Sequence, residues 1–135
     1  MYSSNVLEHI EDDIEMLRKL HSLLKKNAVI AIYVPAFMCL YSGLDIAVGH
    51  HRRYEKAELI KKLEQANFRI IKCHFFDSLG FFASLFLPKF GYKNNPKNFH
   101  FYDRCIYPLS SMLDKLGAKY FFGKNLLVIA QKLDQ

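Results

Sequence analysis

The 135-residue sequence has no tryptophan, six glycines and three cysteines. The glycines (Gly43, Gly49, Gly80, Gly91, Gly117 and Gly123) are scattered, and none falls in a G-x-G-x-G phrase. The chain therefore carries no glycine-rich turn of the kind that cradles a nucleotide cofactor. Cys39, Cys73 and Cys105 are widely spaced and odd in number, with no C-x-x-C. Neither a disulfide framework nor a zinc site is therefore indicated, and a reducing cytoplasm fits. None of the three has neighbours that would activate a thiolate. No run of about 18 uncharged apolar residues occurs, so a membrane-spanning helix is not expected. The polar, acidic start gives no sign of a secretory leader. There is no internal repeat or low-complexity stretch.

What is present is a core. The chain is 51% hydrophobic and 15% aromatic. At this length that suits one domain with a real interior and excludes disorder. The net charge of +6 favours acidic partners in principle. Its lysines and arginines are spread along the chain, however, which reads as a solvated basic surface and makes nucleic acid an unlikely partner.

Taken in order, the chain alternates strand and helix. Tyr2 to Leu7 are extended-compatible. Asp12 has N-cap character, with Glu15 at the capping-box spacing. Ile10, Ile14, Leu17, Leu20 or His21, and Leu24 recur at helical spacing, which predicts a helix over about Asp13 to Lys25. Acidic residues at its start and Lys25-Lys26 at its end suit the helix dipole, and Asn27 suits a left-handed terminator. Ala28 to Val34 is an apolar run rich in β-branched residues without alternation, which predicts a central strand buried on both faces. Pro35 stops it. The long connection 36–54 is expected to be functional or to carry a short helix. Glu55 to Ala66 reads as a helix with Leu59, Ile60, Leu63 and Ala66 as its buried stripe. Phe68 to Phe75 reads as an edge-ward strand. An aromatic stretch from Leu79 to Leu87 ends at Pro88, and a polar turn follows at Gly91 to Lys97. A further helix is expected over Ile106 to Leu116, with Pro108 in its first turn and Gly117 past its end. Lys124 to Gln131 is the last strand. This is the grammar of an α/β fold.

Three groups of residues carry chemistry. Asn5, Glu8 and His9 sit where a strand turns sharply into a helix, the place where open α/β sheets set ligand contacts. The plainer alternative is a turn with a capping acid and a half-buried histidine. Asp45, His50, Arg53 and Tyr54 form the second group. Arginine offers a forked donor for carboxylate or phosphate, and histidine titrates near neutrality. Pairing of Arg53 with Asp45, to fix the loop, is the alternative of equal weight. His50-His51 is not expected to hold a metal, since adjacent side chains diverge and no ligand cluster accompanies them. The third group, Leu79 to Phe90, reads as core or lid, with contact to a membrane surface as the lesser alternative.

The phrase Asn5-Val6-Leu7-Glu8-His9-Ile10, followed by acids and an amphipathic helix, resembles one found in class I S-adenosylmethionine-dependent methyltransferases after their fourth strand. The phrase Asp45…Gly49-His50-His51-Arg52-Arg53-Tyr54 resembles the D-x(3)-G-H-x-R-x-Y that many small-molecule and glycan-directed members carry after their fifth. Two such phrases in this order, with a buried strand between, are far more specific than either alone. Where the family often has Pro-Gly-Gly, this chain has Lys26-Asn27-Ala28, and Asn67 stands where glycine is usual.

The resemblance covers the whole chain but only the C-terminal half of the family's domain. It implies a partial Rossmann-like sheet with a final antiparallel strand, and an aromatic-rich insertion at about 77–118. It implies cofactor contact at Asn5, Val6, Leu7 and His9. It places Asp45, His50, Arg53 and Tyr54 on the acceptor side, above the C-terminal end of strand 28–34. It assigns no catalytic residue and no metal. The intact enzyme would move a methyl group from S-adenosylmethionine to a small-molecule, lipid-linked or glycan-linked acceptor. The chain by itself is expected to be a truncated or split product that does not hold the cofactor. It is also expected to self-associate or to need a partner carrying the N-terminal half. Localisation is expected to be cytoplasmic, with peripheral membrane contact left open. The alternative function is a non-catalytic binding or structural module that retains the scaffold.

Overall fold

The computed structural model describes residues 1–86 and 100–133. Four strands form one sheet in the order β1-β2-β4-β3: β1 (Tyr2–Ser4), β2 (Val29–Pro35), β3 (Phe68–Phe76) and β4 (Asn125–Lys132). β1 and β2 run parallel. The last strand in sequence, β4, inserts between β2 and β3 and is antiparallel to both. Ile30 faces Ala130, Ile32 faces Val128 and Val34 faces Leu126. All six are fully buried, so they form one continuous apolar face. Each large side chain buried there stabilises the fold by about 1.5–3 kcal/mol.

The expectation that β2 is buried on both faces needs correction. Its alternate residues Ala31 and Tyr33 are only half-buried, and Val29 is exposed. An unbroken apolar run fits a strand with two covered faces and one with a single well-covered face equally well. The helices decide between them. The buried face of the sheet packs against Leu17 of α1 (Asp13–Leu23) and against Leu59 and Leu63 of α3 (Lys56–Gln65). β3 lies at the sheet edge, as its weak alternation suggests. The cause of that weakness is a bulge between Ile70 and Lys72, which slips the register by one residue.

Local signals explain the element ends. Asp12 accepts a hydrogen bond from the Glu15 N–H at 2.9 Å and caps α1. Glu15 itself turns outward to pair with Lys19 at 2.9 Å. Asn27 and Asn67 have φ of 57° and 62°, the left-handed region that asparagine tolerates. The connection after β2 does carry a short helix, α2 (Gly43–Ala47). The aromatic stretch becomes α4 (Ser78–Phe86), whose Phe81 ring meets Phe37 at 5.0 Å. α5 (Tyr107–Lys115) has Pro108 in its first turn and Gly117, at φ 116°, just beyond its end. The turn expected at Gly91 to Lys97, and the part of the lid from Leu87 to Phe90, lie outside the described residues. No helix among the described residues is long and apolar enough to cross a membrane.

The chain enters β4 over the end of β3. A Cβ on Gly123 would lie 2.4 Å from the Phe76 carbonyl oxygen, whereas one on Gly43 would meet open space. Gly123→Ala is therefore expected to lower stability by about 1–3 kcal/mol, through displacement of one strand end. Gly43→Ala is expected to leave it unchanged or slightly raised. Urea denaturation midpoints of the two variants check this.

Candidate functional site

β1 ends because Asn5 takes a left-handed conformation, φ 51°, while its N–H still reaches the Tyr33 carbonyl at 2.9 Å. The chain then closes into a tight turn at Leu7–His9 that buries Leu7 and Glu8. Beside it, β2 ends at Pro35, and the connection leaves through Phe37. That connection returns at Tyr54, whose backbone lies alongside Ala36: Phe37 N–H donates to the Tyr54 carbonyl at 3.0 Å, and Tyr54 N–H to the Pro35 carbonyl at 2.9 Å. The loop base is thereby closed. A bond of 2.7 Å from His51 N–H to the Glu8 carbonyl ties the two turns together. Both lie at the C-terminal ends of adjacent parallel strands, where open α/β sheets hold ligands.

Asp45 organises the loop. One carboxylate oxygen accepts from His50 Nδ1 at 2.8 Å and from Arg53 Nε at 3.0 Å. The other accepts from the Ser42 N–H at 2.9 Å, completing a capping box for α2. Burial pushes the Asp45 carboxyl up, but the bonds from His50, Arg53 and Ser42 outweigh it and hold the group below its ordinary value. Arg53 Nη1 also reaches the Ala36 carbonyl at 3.4 Å. Arg53 is buried, and its pairing with Asp45 is the loop-fixing arrangement considered above.

His50 is held by Asp45 through Nδ1, and its Nε2 lies 3.8 Å from Glu8 Oε1. The His9 ring meets the His50 ring edge-on at 4.7 Å. His9 Nδ1 lies 3.0 Å from the Gly49 carbonyl, which can only accept, so Nδ1 carries the proton. Glu8 is fully buried, and neither carboxylate oxygen has a hydrogen-bond partner among the described residues. Burial pushes its carboxyl above the usual range, opposed by its own backbone N–H and by His50, His9 and Arg53. Sequence reading groups Glu8 with Asn5 and His9 but gives it no cofactor contact, and it expects no ligand cluster around His50. Folding brings one ligand atom each from Glu8, His9 and His50 within 4.8 Å of one another. The signal available beforehand was the pair of phrases itself, since each contributes part of the cluster.

A second network lies beneath. Asp13 Oδ2 accepts from the Tyr54 hydroxyl at 2.8 Å, from Lys62 Nζ at 2.7 Å and from Arg52 Nη1 at 3.1 Å. The Tyr54 hydroxyl also lies 3.2 Å from the Leu7 carbonyl. Burial and the Asp13 carboxylate together push the Tyr54 hydroxyl pKa far up, so it stays a neutral donor. Tyr54 is completely buried. Of the residues placed on the acceptor side, then, His50 is the one with an accessible ring, while Asp45, Arg53 and Tyr54 lie beneath it. Asn5, Val6 and His9 are exposed around the first turn, and Leu7 is buried.

Removal of the Asp13 carboxylate leaves a buried hydroxyl and two cations without their acceptor. Asp13→Ala is expected to cost about 3 kcal/mol, and Tyr54→Phe about 1–2 kcal/mol. Burial raises the Asp13 pKa, but the bonds from Lys62 and Tyr54 and the charge of Arg52 lower it further, to below the ordinary aspartate value. A depressed folded-state pKa stabilises the fold fully above the ordinary value, and this is lost as pH falls through the folded one. The melting-temperature gap between wild type and Asp13→Asn should therefore be widest near neutrality and shrink in acid. Thermal denaturation across that pH range tests it.

The sequence matches no protein-family model and no curated protein. Solved structures do match. A SAM-dependent methyltransferase from Archaeoglobus fulgidus is 21% identical, with TM-score 0.54, over 97% of this chain and 57% of that one. The [4+2]-cyclase SpnF is 15% identical, with TM-score 0.53, over 99% and 49%. Phosphoethanolamine N-methyltransferase 2 from Haemonchus contortus is 14% identical, with TM-score 0.53, over 98% and 33%. The chain thus spans between about a third and three-fifths of the solved structures it resembles. At these identities the likeness is one of fold, and the fold is that of the class I S-adenosylmethionine-dependent methyltransferases.

Proposed function

We propose that these residues form the acceptor-side half of an S-adenosylmethionine-dependent methyltransferase acting on a small-molecule or lipid- or glycan-linked acceptor. The observation that carries this reading is the meeting of the Leu7–His9 turn and the His50 loop at the C-terminal ends of parallel β1 and β2. The two phrases that resemble the family in sequence become neighbours in space, on the family's fold.

S-adenosylmethionine, when bound, supplies a methyl group open to in-line displacement. The residues present fit its methionine end only. Asn5, Val6, Leu7 and His9 border that position, but no glycine-rich turn exists here to hold the adenosine and ribose. That turn would come from sequence upstream or from another chain. The role of this half is to place the acceptor, since methyl transfer depends largely on positioning. His50 and His9 form the accessible surface. Asp45 and Arg53 hold His50 in orientation, and Tyr54 anchors the loop base. They act as positioning residues. The exposed Phe82 and Phe86 on α4 favour an acceptor with an apolar portion. The likeness to a phosphoethanolamine N-methyltransferase supports the small or lipid-related class. The second reading, a module that keeps the scaffold without methyl transfer, draws support from the neighbour that is a [4+2]-cyclase.

Calorimetric titration of residues 1–135 with S-adenosylmethionine is expected to show no micromolar binding, and micromolar binding would overturn the half-site reading. Co-expression with a segment carrying a glycine-rich strand-turn should restore cofactor binding. In the restored enzyme, formation of S-adenosylhomocysteine over a panel of amino-alcohol and glycan acceptors reads activity. His50→Ala should then raise the acceptor KM or lower kcat with cofactor affinity little changed. Restored binding without turnover of any acceptor would favour the module.

A further inference from the structure

We propose that Glu8, His9 and His50 form a binding site for a divalent cation of the zinc class, one ion per chain. The three residues come from two turns far apart in sequence, and each offers one ligand atom within 4.8 Å of the others. Glu8 supplies the independent observation. It is fully buried, and both carboxylate oxygens lack a hydrogen-bond partner among the described residues. A buried carboxylate without a partner costs several kcal/mol and is rare in native folds. Among the described residues, the cationic or imidazole group recorded beside it is His50 Nε2, at 3.8 Å, beyond hydrogen-bond reach.

The histidines are prepared as ligands. A metal-bound histidine almost always gives its other ring N–H to a carboxylate or a backbone carbonyl, which fixes tautomer and orientation. Both kinds of support are present. His50 Nδ1 is held by the Asp45 carboxylate at 2.8 Å, and His9 Nδ1 by the Gly49 carbonyl at 3.0 Å. Each ring is left with Nε2 as its lone-pair nitrogen. Arg53, also on Asp45, makes that carboxylate a fixed support. Ligands about 2.0–2.2 Å from a tetrahedral ion lie roughly 3.3–3.6 Å apart, so binding requires a modest contraction. His9 is the exposed member of the three, so the contraction requires no repacking of buried side chains on its side.

The donor set selects the ion. Two imidazoles and one carboxylate suit zinc, cobalt or iron(II), whereas magnesium asks for six oxygens. Three protein ligands leave a coordination position for water or a ligand. That position would open on the His9 side, because Glu8 closes the other.

The test uses the full chain with Cys39, Cys73 and Cys105 changed to serine, which removes competing thiols. After chelation and dialysis, cobalt(II) is titrated and visible absorption is followed; zinc is titrated by calorimetry without cofactor. The expected result is one cobalt per chain with ligand-field bands, displaced by zinc and not by millimolar magnesium. His9→Gln, at an exposed position that tolerates change, should weaken binding by more than about a hundredfold. That exceeds the effect expected from loss of an outer hydrogen-bond partner alone. Glu8→Gln should abolish it, with circular dichroism confirming the fold. His51→Ala, beside the cluster but outside it, should leave binding unchanged. No saturable cobalt binding, equal binding by His9→Gln, or displacement by magnesium overturns the proposal. Because the readout is the metal alone, its failure is separable from failure of the methyl-transfer reading.

Discussion

The hydrogen bond from the Tyr54 hydroxyl to Asp13 is the contact on which the site depends. It joins the base of a long loop to the first turn of α1, and Tyr54 reaches the Leu7 carbonyl as well. The Tyr54 backbone, paired beside Ala36, ends the same loop on β2. One residue therefore fixes the loop to both the sheet and the first turn. The interior position of Asp13 is tolerable because Lys62 and Arg52 share its charge. A lone buried carboxylate would cost several kcal/mol, while one with three donors is held in its ionised form. The order of dependence is then plain. Burial of Tyr54 sets the loop base, Asp45 sets the loop interior, and His50 is positioned as the result.

Much of this was legible in the residues. Asn27 and Asn67 marked left-handed helix ends because few other side chains tolerate that region, and Gly117 marked another. The helical stripe of Leu59, Leu63 and Ala66 is buried as its spacing requires. Pro35 did end β2. The resemblance brought the two phrases together, and folding placed them side by side. The pairing of Arg53 with Asp45 was one of two compatible readings that the residue types allowed, and that contact is made.

Other features were not legible, for identifiable reasons. A continuous apolar run cannot tell how many of its faces are covered, because the covering elements lie elsewhere in sequence. A bulge such as the one at Ile71 shifts alternation without changing composition. The Asp12–Glu15 spacing suggested a reciprocal cap, yet Lys19, four residues on, competes for the Glu15 carboxylate. Glu8 was named beside Asn5 and His9, but its burial against His50 was not legible, because acids near a helix start are ordinarily solvated. Only the His51–Glu8 backbone bond and the packed Leu7 turn take it inside.

Glu8 and Asp13 make the closing contrast. Both are acids near the start of the chain, both are buried, and both face the same returning loop. Asp13 meets a hydroxyl, a lysine and an arginine, and its carboxyl sits below its ordinary value. Glu8 meets no donor in hydrogen-bond geometry among the described residues, and its carboxyl sits above. The first arrangement stabilises the fold, and the second opposes it. Stability selection removes an unpaired interior charge unless something else retains it, because glutamine or leucine at that place costs less. Local inconsistency of this kind concentrates at functional sites. Among the described residues, the unpaired Glu8 carboxylate therefore lies where the two recognisable phrases converge. A buried acid without a donor is a position where a bound cation would lower the cost of burial.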